Sequence, residues 1–266
     1  MNTLGRLSAL VLVLTIATSL HAAPQGEFPD LVVPTLDFPR REMRIARGRL
    51  PQPDGVELFA ARGRDRRPYL ETDVGGQTHR LLIDSGSSGS ISLHPGGELP
   101  WASAPLPISV GQGMEKLRYA DVGRLDADIE IAGVTVEKPI VEIGAVTELI
   151  GTDVMRHFAW TFDQKSRRVR IRSGSPEPLR LPAVRGTGAI LIPALKGYEI
   201  VRLLENSPAA RVGLRVGDVV VAVDGTRVFE RGCDRWNEGD RTETTLSVLR
   251  NGQAFDLQVE VVDIVP

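Results

Sequence analysis

The sequence predicts a mainly β chain: a small closed β-barrel, followed by a second unit of β-sandwich type with short helices. Three observations carry this. From residue 56 onward, short apolar runs alternate with Gly and Pro punctuation. Hairpin turns recur between them, at Gly75-Gly76, Gly133 and Asn251-Gly252. Helical character is confined to two brief stretches, after Gly151 and after Ser207.

Taken in order, the chain opens on Arg6, an apolar run over 7–20 and the small-residue stretch Leu20-His21-Ala22-Ala23. This predicts a signal peptide over residues 1–22, and with it an exported protein of the bacterial periplasm or exterior. The run falls short of the roughly 20 residues of a membrane span, and no later run could cross a bilayer, so no stable membrane insertion is expected. Residues 23–65 are Pro-rich, charged and weakly periodic, and read as an extended arm. Its basic stretches, 40–49 and 62–67, are short and interrupted, and read as solvated loops.

Residues 69–74 alternate apolar and polar, Gly75-Gly76 turns the chain, and 79–83 form the return strand. Further strands are expected at 91–93, 127–131, 134–136, 141–143, 160–163 and 168–171. Many Pro and Gly residues break up 95–107. This places one unit over 66–173. Ser173-Gly174-Ser175-Pro176-Glu177-Pro178 reads as the start of a linker over 174–183, and a second unit fills 184–266.

The net charge of −2 gives no electrostatic footprint for nucleic acid. Cys233 is the only cysteine, so no intrachain disulfide forms, and Cys and His do not cluster at metal-ligand spacing. No metal or other cofactor is expected.

The chemistry is concentrated in Leu81-Leu82-Ile83-Asp84-Ser85-Gly86-Ser87-Ser88, an apolar strand that runs into Asp-Ser-Gly. The carboxylate of Asp84 falls at a strand end, Gly86 lets backbone N–H groups approach it, and Ser85 and Ser87 supply short hydroxyls. A second segment, Leu149-Ile150-Gly151-Thr152-Asp153-Val154-Met155, precedes Phe158-Ala159-Trp160-Thr161-Phe162-Asp163. In order and spacing these stretches resemble the retropepsin-like aspartic proteases over about residues 66–172. The resemblance implies a retropepsin-like barrel, with Asp84 as the catalytic carboxylate. It implies that Ser85 bonds across a dimer axis, Ser87 holds the outer Asp84 oxygen, and Gly151 lets the chain thread past the active-site loop. Two carboxylates are needed for this chemistry, because one must act as base on water while the other holds a proton. The single Asp-Ser-Gly therefore implies a homodimer acting on a polypeptide substrate.

In the second unit, Glu205-Asn206-Ser207-Pro208-Ala209-Ala210-Arg211-Val212-Gly213-Leu214 leads into Arg215-Val216-Gly217-Asp218 and then Val219-Val220-Val221-Ala222-Val223-Asp224-Gly225. Ser207 is placed to cap a short helix whose first residue is Pro208. The series resembles a bacterial-type PDZ domain, which binds extended peptides by strand addition. On that resemblance Gly197, Tyr198, Glu199, Ile200 and Val201 are the expected peptide-binding residues, and a C-terminal peptide is the expected ligand. Residues 228–243 are short for the helix that walls such a groove. Two functions are thus in view: an exported aspartic endopeptidase with a PDZ domain, and a non-catalytic peptide-binding scaffold.

Overall fold

The computed structural model describes residues 32–61, 67–112, 117–230 and 240–266. The expected signal peptide, Cys233, most of the basic stretch 62–67 and most of the expected groove helix lie outside the described residues. Twenty-three strands follow in chain order, with two short helices and one 3-10 turn among the described residues.

The front part begins with β1 (Val32–Asp37), β2 (Glu42–Arg47) and β3 (Leu58–Ala60). Next come β4 (Tyr69–Val74), β5 (Gln77–Ile83), β6 (Ile91–Leu93), β7 (Leu106–Gln112) and β8 (Leu117–Arg124). Then follow β9 (Ile129–Ile131), β10 (Val134–Glu137), β11 (Ile140–Ile143), β12 (Leu149–Ile150) and α1 (Thr152–Met155), with the hairpin β13 (Phe158–Asp163) and β14 (Arg168–Ser173) closing it. β4 and β5 are joined at Gly75-Gly76 as the alternation predicts. β12 lies parallel to β5 and antiparallel to β6.

The closed barrel expected here is not found, and a retropepsin fold is not shown. Seven strands instead form an open sheet in the order β4-β5-β12-β6-β11-β8-β7, and five others form a separate sheet in the order β2-β1-β13-β14-β3. Among the described residues β4 and β7 are unpaired on their outer sides, so the larger sheet keeps two edges. Part of the difference lies in residues 40–49. They are not a loop: β2 pairs along its whole length with β1, which pairs in turn with β13. One apolar core joins these layers and includes Leu81, Ile91, Ile150, Met155, Phe158, Trp160 and Ile171. The Trp160 Nε1–H donates to the carbonyl of Met155 at 2.9 Å, so the buried indole leaves no orphan donor.

Beyond it run β15 (Leu179–Arg180), β16 (Val184–Gly186), β17 (Ala189–Ala194), β18 (Gly197–Leu203), α2 (Pro208–Arg211), β19 (Val219–Val223) and β20 (Thr226–Arg227). The 3-10 turn Val228–Glu230 precedes β21 (Glu243–Arg250), β22 (Gln253–Glu260) and β23 (Val262–Val265). The second sheet system runs β17-β18-β19-β21-β22, with β20 beside β19 and with β16 paired to β23. Ser207 caps α2 as its sequence predicts, its hydroxyl accepting from the Ala210 N–H. A second core gathers Ile200, Ala209, Leu214, Val220, Val223, Leu246, Val248 and Val259. The fold is mainly β in both parts, as the turn pattern predicts.

Candidate functional sites

At the Asp84 loop, β5 delivers the residue to the sheet end and the Asp84 N–H donates to the carbonyl of Ile150 at 3.0 Å. The Asp84 side chain is half-buried and turned onto its own loop, accepting the Gly86 N–H at Oδ1, 2.8 Å. The Ser87 N–H donates to the Asp84 carbonyl at 3.3 Å. The Ser87 hydroxyl does not bond the Asp84 carboxylate among the described residues, and Ser85 has no hydrogen-bond partner there.

Gly151 passes this loop at backbone distance. A Cβ on it would stand 2.3 Å from the Gly89 carbonyl oxygen and 3.1 Å from that of Ser87. Its N–H donates to Ser90, while the Thr152 N–H and hydroxyl both donate to the Ser87 carbonyl. The loop faces a cleft of about 800 Å³ whose lining includes Asp84, Ser87, Val110, Glu142, Asp153 and Val184.

Next to this cleft, His79 Nδ1 lies 3.0 Å from Glu148, while its Nε2 is buried without a hydrogen-bond partner. The Ser90 hydroxyl is buried and equally unpartnered. No serine hydroxyl therefore meets the His79 ring. Among the described residues no group of three or more His, Cys, Asp or Glu side chains is placed to hold a metal ion. No helix among them is long and apolar enough to cross a membrane.

The second site is the edge of the C-terminal sheet. Here the structure places the residues expected to bind peptide. Gly197, Tyr198, Glu199, Ile200 and Val201 lie on β18, which is an interior strand. Its pairing with β17 runs from Gly197 to Leu203, and on its other side Tyr198 and Glu199 pair with Val220 and Val219. The Ile200 N–H and carbonyl are taken by Asp218 and Gly217. Over Tyr198 to Ile200 β18 is thus bonded on both sides. Gly197 serves a close approach: a Cβ there would stand 2.2 Å from the Val220 carbonyl oxygen.

Among the described residues β17 and β22 are the two edge strands of this sheet, and β17, whose Cα atoms come within 8 Å of β7, is the one beside β18. It is hydrogen-bonded to β18 alone, with a bulge between Ile190 and Leu191. The turn feeding it is held from behind, because the Thr187 carbonyl accepts from Ala209 and the Gly188 carbonyl from Leu204. Leu191 packs toward the second core. The phenol ring of Tyr198 contacts Phe229, whose side chain is largely exposed. The alternation of residues 189–194 was weak because Pro193 interrupts it, which is why β17 was not legible as the edge.

The comparisons with known proteins bear on this second site. A family model described as a PDZ domain matches residues 199–235. A stretch of 40 residues is 50% identical to a protein named putative serine protease HhoA from Synechocystis sp. (strain ATCC 27184 / PCC 6803 / Kazusa). The match covers 15% of this chain and 10% of that protein, so the chain spans only about a tenth of the relative's length. The expected aspartic endopeptidase is overturned by this finding. The relative is named for serine, not aspartic, catalysis, and neither match leads to a retropepsin. The seven-stranded sheet does not close into the barrel that such a protease requires. Aspartic catalysis at Asp84 falls with that expectation, and a homodimer is not shown; Gly86 and Gly151 do take the local positions expected of them beside the Asp84 loop. The strand–helix–strand run that begins at Glu199 carries a PDZ domain.

Proposed function

We propose that this protein binds extended peptides through its PDZ domain, with the front sheets acting as a scaffold rather than as an aspartic protease. The observation that carries the reading is β17, an edge strand of the six-stranded sheet in the part of the chain that holds the PDZ match. Such an edge presents a row of free N–H and C=O groups, and an incoming strand satisfies them while alternate side chains select its sequence. Along β17 Leu191 packs toward the second core, Ile190 is buried and Ile192 half-buried, with a bulge between Ile190 and Leu191. One copy of the chain suffices for this activity.

The serine-protease name of the relative concerns a stretch of 40 residues, and no nucleophile–base pair supports serine catalysis at His79. The test is selection from a display library of peptides with free C-termini, followed by hydrogen exchange on the full chain with a selected peptide. Slowed exchange centred on residues 189–194 is the expected outcome. Protection confined to the Asp84 cleft, with β17 unaffected, would overturn the proposal.

A further inference from the structure

The other cavity of note is an open trough of about 760 Å³ at the far sheet, over the outer face of β2-β1-β13-β14. Strand alternation explains why this face is hollow. Phe158, Trp160, Val169 and Ile171 point inward to the core, leaving Ala159, Thr161, Arg170 and Arg172 on the other side. β1 contributes Val33, Thr35 and Asp37 to that side, and β2 contributes Arg44 and Ala46. The pairing sets Arg44, Thr35, Thr161 and Arg170 in one row across four strands. Two small hydroxyl residues thus form a floor between two guanidinium walls. The Thr35 and Thr161 hydroxyls lie 2.8 Å apart.

The lining carries six arginines, at 40, 44, 47, 49, 170 and 172, against one carboxylate, Asp37. Asp37 is already shared by Arg40 and Arg44, and Arg172 pairs outward with Glu57. Arg47, Arg49 and Arg170 have no ion-pair partner among the described residues. The Nε of Arg170 is buried and makes no hydrogen bond at all. A buried donor without an acceptor is a costly arrangement.

We propose that this cavity binds a multiply charged phosphorylated anion. Guanidinium forks match phosphoryl oxygens two at a time, and a compact polyvalent group answers several of them within one small volume. The hydroxyl floor, whose two groups bond each other, leaves one O–H free to donate between the walls. A soluble phosphate ester and a phospholipid headgroup share this chemistry.

The experiment uses the full chain in two arms. In the first, inorganic tripolyphosphate is titrated by calorimetry at low and moderate salt. In the second, the protein is sedimented with phosphatidylglycerol vesicles and with phosphatidylcholine vesicles. Wild type is expected to bind tripolyphosphate, and R170Q and the double variant R47Q/R49Q to bind it roughly ten-fold or more weakly. R227Q, on the exposed strand β20, is the control and should bind as wild type does. Vesicle binding that is specific to phosphatidylglycerol and lost in the same variants assigns the headgroup as the source. Tripolyphosphate binding without it assigns a soluble ligand. Should R170Q not fold, T161D places a carboxylate in the floor at similar size and should abolish binding. The proposal is overturned if wild type binds in neither arm, or if the folded cavity variants bind as tightly as wild type.

Discussion

Asp218 shows how a single carboxylate can organise the C-terminal sheet. It is 1% exposed and accepts both Arg250 Nε and Nη2 at 2.7 Å, with the Arg215 N–H at 2.8 Å. Burial pushes its pKa up, but the Arg250 hydrogen bonds, the Arg215 amide and the nearby positive charges outweigh it and hold the carboxyl below its ordinary 3.8. With the folded pKa below the unfolded one, the stabilisation is present above the ordinary Asp range and is lost as pH falls through the folded value. Asp218→Asn should cost about 2 kcal/mol near neutral pH, because Arg250 keeps its charge and loses its fork. Urea unfolding of both proteins across pH checks this, and the gap between them should narrow below about pH 4. An unchanged gap in acid would mean that the pair contributes nothing through its charge. Gly151→Ala should be more damaging still. Its Cβ would lie 2.3 Å from a backbone oxygen that cannot swing aside, so a loss of about 3 kcal/mol or more is expected in the same assay. The need for glycine at 151 was legible from its motif. The reason for Gly197 was not, because nothing local announces that the backbone of Val220 passes beside it.

Between elements, the hairpin β7–β8 matters most. Cα atoms of β17 come within 8 Å of β7. Inserting a strand between them requires roughly 9.6 Å, twice the spacing of paired strands, so an added peptide must push the hairpin aside where the two approach. One contact that holds it is the Arg202 guanidinium of β18, 4.0 Å above the Tyr119 ring of β8. If β7–β8 covers the edge, Tyr119→Ala should tighten peptide binding about two- to five-fold, the equivalent of one partly exposed cation–π contact. Fluorescence anisotropy with a selected peptide measures it. Weaker binding would instead make the hairpin a wall of the groove. This hairpin was poorly legible in the sequence. Pro105 and Pro107 mark the start of β7 as irregular, and its partner β8 is identified only by pairing at a distance. The turns that name themselves were read directly: Gly75-Gly76 between β4 and β5, and the polar residues 164–167 between β13 and β14. The strand β2 was missed because all its side chains are exposed, so it has no buried face to impose an alternation on its sequence.

Over the whole molecule, the two cores are joined at Arg124. This residue ends β8 and is 6% exposed, and it faces main-chain oxygens rather than an acidic side chain. It donates to Lys138 at 2.8 Å, to Leu181 and Pro182 at 3.2 Å each, and to Pro266. Burial, with the charge of Arg180, holds its pKa below the usual arginine value. Those acceptors come from the front sheet, from the segment leading into β16 and from the residue after β23. A third apolar cluster of Val122, Ile140 and Val265, with Ile108, Val184 and Ile264 against it, gathers residues from the same parts of the chain. One side chain thus satisfies four main-chain oxygens from three segments, and replacing it leaves those acceptors without their donor. Arg124→Met keeps the length and apolar stem but removes every donor. If Arg124 is what makes the two cores unfold together, wild type should melt in a single calorimetric transition. The variant should then separate into two, with the less stable part lowered by about 2–4 kcal/mol. A single transition that merely shifts would place the coupling in the apolar cluster instead. The experiment also reaches the binding site, because β8 carries both Arg124 and Tyr119. A front sheet released at Arg124 has less hold on the hairpin beside β17, so the variant should bind the selected peptide more tightly than wild type at temperatures below its first transition.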